Sequence, residues 1–202
     1  MGWWSDFKRL FRTLRSNGSP GDVGLLKAEL FGAKPPTGVD QQLATAGLDG
    51  YLPELRLADL RRLDDGTLGR EYARMLDANG YQPFHISADL RERALRQTYL
   101  MRYIATHDFI HVVTGFDTSY AGELGVLVAT VEQGFAPGGG VQEWVARWFY
   151  PLRSWKTRRA IKAARAQGHL LGKKAKNLLV YRYEDAVARP LTEVRAELGL
   201  AA

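Results

Sequence analysis

His107-Asp108-Phe109-Ile110-His111-Val112-Val113-Thr114-Gly115-Phe116-Asp117-Thr118-Ser119-Tyr120-Ala121-Gly122-Glu123 is the stretch on which the reading of this chain turns. Apolar residues recur at helical spacing up to Thr114, and Gly115 stands where a helix stops. Thr118 or Ser119 then caps a second helix, Tyr120–Gln133. The result is two consecutive helices folded back on each other. Residues four apart on a helix share a face, so His107 and His111 project together. An antiparallel return brings the first turn of the next helix, with Glu123, beside them. Two imidazoles and one carboxylate make an open metal site of catalytic type. The donors admit zinc, ferrous iron or magnesium. The spacing is that of the HExxH zinc motif with Asp108 at the position of its general base, which makes Asp108 the candidate catalytic residue. Asp108 also borders the histidine face, where it could serve as a fourth ligand or orient a histidine from behind.

Working outward, the periodicity stays helical almost throughout, and the expected fold is all-α. From Ser87 the pattern runs through Leu100 and Ile104 to Thr114, predicting one long helix. Before it, Thr67 caps a helix to about Asn79, ended by Gly80. Shorter helices are expected around Val23–Phe31, Asp40–Ala46 and Ala58–Leu63. After the hairpin, Pro137-Gly138-Gly139-Gly140 reads as a link to an aromatic helix with Trp144, Trp148 and Phe149. Pro151 then opens a basic helix to about Gln167. Leu178-Leu179-Val180-Tyr181 is the one strand candidate.

The chain of 202 residues suits a single domain, taken as 17–202, behind an N-terminal amphipathic helix in residues 1–16. With no cysteine, disulfides, iron–sulfur clusters and thiol nucleophiles are excluded. No stretch reaches the ~20 apolar residues of a spanning helix. The N-terminus has no apolar signal centre, and Asp6 occupies the position where a myristoylation motif needs Ser or Thr. A net charge of +6 calls for an anionic partner. From Arg153 to Lys176 the chain carries Lys and Arg but no Asp or Glu. This is either a solvated helix face or a surface that meets an anion, with Arg153, Lys156, Arg158 and Arg159 as candidate contacts to a carboxylate or phosphate head. No nucleic-acid module is present, and nucleic acid is not an expected partner. On the first helix, Trp3, Trp4, Phe7, Leu10, Phe11 and Leu14 share one face and Lys8, Arg9, Arg12 and Arg15 the other. That pattern suits either a membrane headgroup layer or docking onto the chain's own domain.

The segment His107-Asp108-x-x-His111-x11-Glu123, with Gly115 and Gly122 in place, resembles the HDxxH-x11-E signature of the coenzyme Q biosynthesis protein 4 family. The similarity runs from about Gly66 to Leu200. It includes Gly66-Thr67-Leu68-Gly69-Arg70-Glu71-Tyr72, Leu76-Asp77-Ala78-Asn79-Gly80, Lys174-Ala175-Lys176 and Val194-Arg195-Ala196-Glu197-Leu198-Gly199. Tyr183 stands before Glu184 where the family often has Trp, and the helix after Glu123 is more apolar than usual. The resemblance implies an all-helical fold, a metal held by the motif, and a role in ubiquinone biosynthesis. That role is either an enzyme's, in oxidative decarboxylation and hydroxylation of a prenylated ring, or a non-catalytic scaffold's that holds lipid and partner enzymes. Expected partners are a polyprenyl lipid or prenylated quinone precursor, an anionic membrane surface, other quinone-biosynthesis enzymes and a second copy in a homodimer. The implied location is cytoplasmic or peripheral to the inner face of a membrane. A phosphohydrolase of the HD type, built from His85, His107-Asp108 and Asp185, fits less well because it leaves His111 and Glu123 unexplained.

Overall fold

The computed structural model describes residues 3–15, 19–31, 35–48, 52–136 and 158–200. The architecture is all-α, with no strand among the described residues. In chain order the helices are α1 (Trp3–Arg15), α2 (Pro20–Phe31), α3 (Val39–Thr45), α4 (Leu57–Leu60), α5 (Leu68–Asn79), α6 (Arg91–Leu95), α7 (Thr98–Thr114), α8 (Tyr120–Glu132), α9 (Arg158–Lys174) and α10 (Leu191–Glu197). Short 3₁₀ turns cover Ala88–Leu90 and Tyr183–Asp185. No described helix is long and apolar enough to cross a membrane.

The helix α7 is the hub. It buries Met101 and Ala105 as well as Phe109, Ile110 and Val113, and α2, α3, α5, α6, α8 and α10 all pack on it. A helix apolar on every side belongs in the middle of a protein. The α8 helix packs mainly on α9, and their backbones come close. A Cβ at Gly168 would lie 2.5 Å from the Gly125 carbonyl oxygen. Apolar residues with little bulk along α8 therefore serve a tight helix pair.

Two expectations are corrected. The long helix from Ser87 breaks at Arg96–Gln97: the amides of Arg96 and Gln97 turn back to Arg93 and Ala94, and Gln97 sits at φ −118°, ψ 50°. The break carries no Gly or Pro, so the apolar rhythm runs through it unmarked. The segment before the break is held by tertiary contacts: Leu90 and Ala94 are buried, and Arg93 is tied to Asp6 and Glu29. The strand candidate Leu178–Tyr181 is an irregular turn. Side chains replace the missing strand partner: Gln133 Oε1 accepts from Leu178 N–H at 2.9 Å, Asn177 Oδ1 from Leu179 N–H at 2.9 Å, and Arg102 donates to the Leu179 carbonyl at 2.9 Å and to that of Tyr181. Backbone groups must be paired, but a sheet is only one way to do it. The expected aromatic helix, its Gly-rich link and the start at Pro151 lie outside the described residues, as do Arg153 and Lys156.

Candidate metal centre

The hairpin between α7 and α8 forms as the sequence predicts, and its details place the site. Gly115 ends α7 at φ 78°. Ser119, rather than Thr118, is the N-cap of α8, its hydroxyl accepting from Gly122 N–H at 3.3 Å. The Thr118 hydroxyl instead donates to Asn79 Oδ1 at 2.6 Å, pinning the loop to the end of α5. Glycine is required at 122: a Cβ there would lie 1.9 Å from the Asp117 carbonyl oxygen. That close approach folds α8 tightly enough against the loop to return Glu123 to the histidines.

Candidate ligand atoms of His107, His111 and Glu123 all lie within 4.8 Å of one another. Glu123 sits between the rings, with Oε2 3.3 Å from His107 Nε2 and Oε1 3.4 Å from His111 Nε2. His111 is fully buried, His107 partly so and Glu123 half-exposed. Chemistry fixes the His111 tautomer. Its Nδ1 lies 3.2 Å from the Phe116 carbonyl, which can only accept, so Nδ1 carries the proton and Nε2 the lone pair. Nε2 is then a buried atom without a hydrogen bond, as is His107 Nδ1. A lone pair facing a carboxylate oxygen repels it unless a proton or a metal lies between. Burial alone would push the His111 imidazolium down, yet the neighbouring carboxylates of Glu123 and Asp108 leave it raised. Burial would likewise push Glu123 up, but the two histidines hold it at about 2. The lone pair of His111 Nε2 and the two-nitrogen, one-oxygen donor set fit a divalent cation between the rings and the carboxylate.

Asp108 is not one of these three close donors, although it lines the same cavity. Burial raises its carboxyl above the ordinary range, while His107 and His111 pull it back. Behind the site Phe109 is stacked between Tyr72, at 4.1 Å between ring centroids, and Tyr183, at 5.1 Å. These aromatic neighbours lock the face of α7 opposite the ligands.

The cavity measures about 480 Å³ and is walled by Pro20, Tyr81, Gln82, His85, Tyr103 and Ile104 besides His107, Asp108 and Glu123. Sequence reading missed these lining residues as a group, because they come from separate elements with no shared spacing. Tyr103 is the one with a visible signal, one turn before His107 on the same face. Its phenol is pushed up to about 12 by burial, with a further upward push from Glu123, and so stays protonated. Arg158 and Arg159 are exposed in the first turn of α9 and do not line this cavity. His85 does, but Asp185 lies in a separate cleft with Lys176 and Arg189, so the phosphohydrolase set is not assembled.

A family model described as coenzyme Q (ubiquinone) biosynthesis protein Coq4 matches residues 53–202. A ubiquinone biosynthesis protein coq4, mitochondrial, from Talaromyces stipitatus is 30% identical over 154 residues, covering 73% of this chain and 51% of the relative. A mitochondrial COQ4 homolog from Rattus norvegicus is 28% identical over 163 residues, covering 74% and 56%. The chain thus spans about half the length of the curated relatives it matches. The crystal structure of a putative ubiquinone biosynthesis protein from Nostoc punctiforme shares the fold, with a TM-score of 0.63 at 20% identity, covering 98% of this chain and 96% of that one.

Proposed function

The chain belongs to the coenzyme Q (ubiquinone) biosynthesis protein Coq4 family, and on that premise we propose that it is a metal-binding enzyme of ubiquinone or related prenylquinone biosynthesis, acting in oxidative decarboxylation and hydroxylation of a prenylated ring. One observation carries the reading: His107, His111 and Glu123 converge beside a cavity that His107 and Glu123 line, with the buried His111 Nε2 lacking a hydrogen bond. His107, His111 and Glu123 would hold the ion. Zinc, ferrous iron or magnesium bound there would supply Lewis-acid chemistry, or with iron the activation of oxygen.

The chain's own groups do the rest. The Phe116 carbonyl keeps the His111 proton on Nδ1, away from the ligand atom. Asp108, its carboxyl raised by burial, is placed at the cavity wall to hold or release a proton. Tyr103 and Ile104 with Pro20 offer an apolar wall to a ring and the start of its tail, while Gln82 and His85 offer hydrogen bonds to ring substituents. In the proposed reaction one molecule each of oxygen and water is consumed: the ring–carboxylate bond breaks and carbon dioxide leaves, a hydroxyl takes its place, and oxygen takes up the two electrons released, leaving as hydrogen peroxide. A polyprenyl lipid or prenylated precursor and other enzymes of the pathway are the partners that go with it, at a location peripheral to the inner face of a membrane.

The test is metal analysis of the purified protein, followed by incubation with a prenylated 4-hydroxybenzoate and oxygen. We expect about one divalent ion per chain, its loss in His111→Ala, and oxygen-dependent release of carbon dioxide. Lipid binding without product would establish the scaffold reading instead. Unchanged metal content in His111→Ala would refute the centre itself.

A further inference from the structure

Arg195 stands in the last turn of α10, where sequence alone would assign its charge to the carbonyl end of that helix. The structure sends the guanidinium elsewhere. Nη2 donates to the Val112 carbonyl at 2.9 Å and Nε to that of Val113 at 3.0 Å. Both carbonyls belong to the last turn of α7, the helix that carries His107 and His111. Their helical partners would be the N–H groups of Phe116 and Asp117, which lie beyond the stop at Gly115. Two neighbouring carbonyls are met locally: that of His111 accepts from Gly115 N–H at 2.9 Å, and that of Ile110 from the Thr114 hydroxyl at 2.5 Å. One guanidinium from another helix takes the pair that the turn itself leaves open. It is firmly held there. Val194 and Leu198 beside it are fully buried, Leu191 N–H donates to the Gly66 carbonyl at 2.8 Å, and the Arg195 carbonyl accepts from Leu200 N–H at 2.7 Å.

Just past this turn comes Phe116. Its ring is seated so close to Gly125 of α8 that a Cβ there would lie 2.4 Å from it, and its carbonyl holds the Nδ1 proton of His111. A neutral imidazole has one N–H, and two acceptors face this ring. The Phe116 carbonyl lies 3.2 Å from Nδ1, and Glu123 Oε1 lies 3.4 Å from Nε2. If the carbonyl slips away, the proton belongs on Nε2, donated to Glu123, and a protonated nitrogen cannot ligate a metal. We propose that Arg195 is a positioning residue of the metal centre: its paired hydrogen bonds to Val112 and Val113 fix the turn at Gly115, keep the Phe116 carbonyl on His111 Nδ1, and so leave Nε2 open to a divalent cation. This role rests on the metal centre proposed above. Arginine suits it because a planar guanidinium offers two donors along one edge to two successive carbonyls, which a lysine ammonium cannot do. Its charge also faces the negative end of α7.

The test combines zinc affinity, from competition with a chromophoric chelator, with the position of the His111 proton, both on the full chain. Arg195→Met should bind zinc about 10–100-fold more weakly, the range for residues that orient a ligand from behind. Arg195→Lys keeps the charge without the paired donors and should recover only part of that loss. Leu60→Ala, at a buried position of α4, should lower the melting midpoint yet keep the wild-type affinity, which separates lost stability from lost positioning. The chain has four histidines, so long-range proton–nitrogen correlation spectra of the metal-free protein in alkaline buffer can resolve His111, assigned by its absence in His111→Gln. The wild type should carry the proton on Nδ1, and Arg195→Met should move population toward Nε2. If the methionine variant does not fold, the lysine variant carries both measurements, with a smaller change in the same direction. Wild-type zinc affinity in Arg195→Met, full recovery in Arg195→Lys, an equal loss in Leu60→Ala, or an unchanged His111 spectrum would each overturn the proposal. The spectra need no metal. A wild type that binds no zinc would refute the metal centre, whereas an unmoved His111 proton refutes the role of Arg195 alone.

Discussion

Replacing Arg102 with methionine probes the least obvious support of the site. Arg102 is 1% exposed and lies on α7, five residues before His107. Its guanidinium grips both oxygens of Glu184, at 2.9 and 3.1 Å, and donates to the carbonyls of Leu179 and Tyr181. Methionine keeps the apolar stem but leaves a carboxylate that is only 6% exposed without its cation. Breaking a buried ion pair from one side costs about 3–5 kcal/mol. Each orphaned carbonyl would add about 1 kcal/mol, less whatever entering water restores. The expected loss is therefore about 4 kcal/mol, or about 8–16 °C in melting midpoint for a chain of this size. Thermal and urea melts followed by circular dichroism would measure it. The double variant Arg102→Met, Glu184→Leu should recover more than about 1.5 kcal/mol, because removing both partners removes the uncompensated charge. Since the ligands sit on α7 and α8, metal content at low temperature should stay near that of the wild type. A loss under about 1 kcal/mol, or single-variant effects that simply add, would refute this account of the pair.

Acidity should separate the metal-free and metal-loaded proteins. His111, raised in the folded protein, contributes stability that is full below the ordinary histidine value of 6.5 and is lost as pH rises through its folded value. Glu123, lowered from 4.5 to about 2, contributes stability present above 4.5 and lost as pH falls toward 2. A metal needs the neutral imidazole, so the rise in melting midpoint on adding zinc should be larger near about pH 7.5 than near about pH 5.5. An equal rise at both, seen by scanning fluorimetry, would argue that His111 is not a ligand. Gly122→Ala should cost about 1–3 kcal/mol and lower metal affinity, because the new methyl collides with backbone at Asp117 and pushes the first turn of α8 outward. Equilibrium melts and metal titration would show it, and a variant with unchanged affinity would count against the tight loop as the device that positions Glu123.

Much was legible in the sequence because it depends on local geometry. Helical spacing, the glycine stop at Gly115, the cap before Tyr120 and the pairing of His107 with His111 follow from the backbone of a helix and the residues that end it. The likeness to the family centred on that stretch and ran from about Gly66 to Leu200. Tertiary structure decided what periodicity cannot carry. It broke the helix at Gln97, and at Leu178–Tyr181 it formed a turn in which Gln133, Asn177 and Arg102 supply the hydrogen bonds a strand would have needed. It brought Tyr103, His85 and Pro20 to one cavity and kept Arg158 and Arg159 out of it. On α1 it paired Asp6 with Arg93 and Arg9 with Asp89, and it buried Leu10 while leaving Trp4, Phe7 and Phe11 exposed. Spacing along a chain says which side chains share a face of one helix; only the packing of helices says what that face meets.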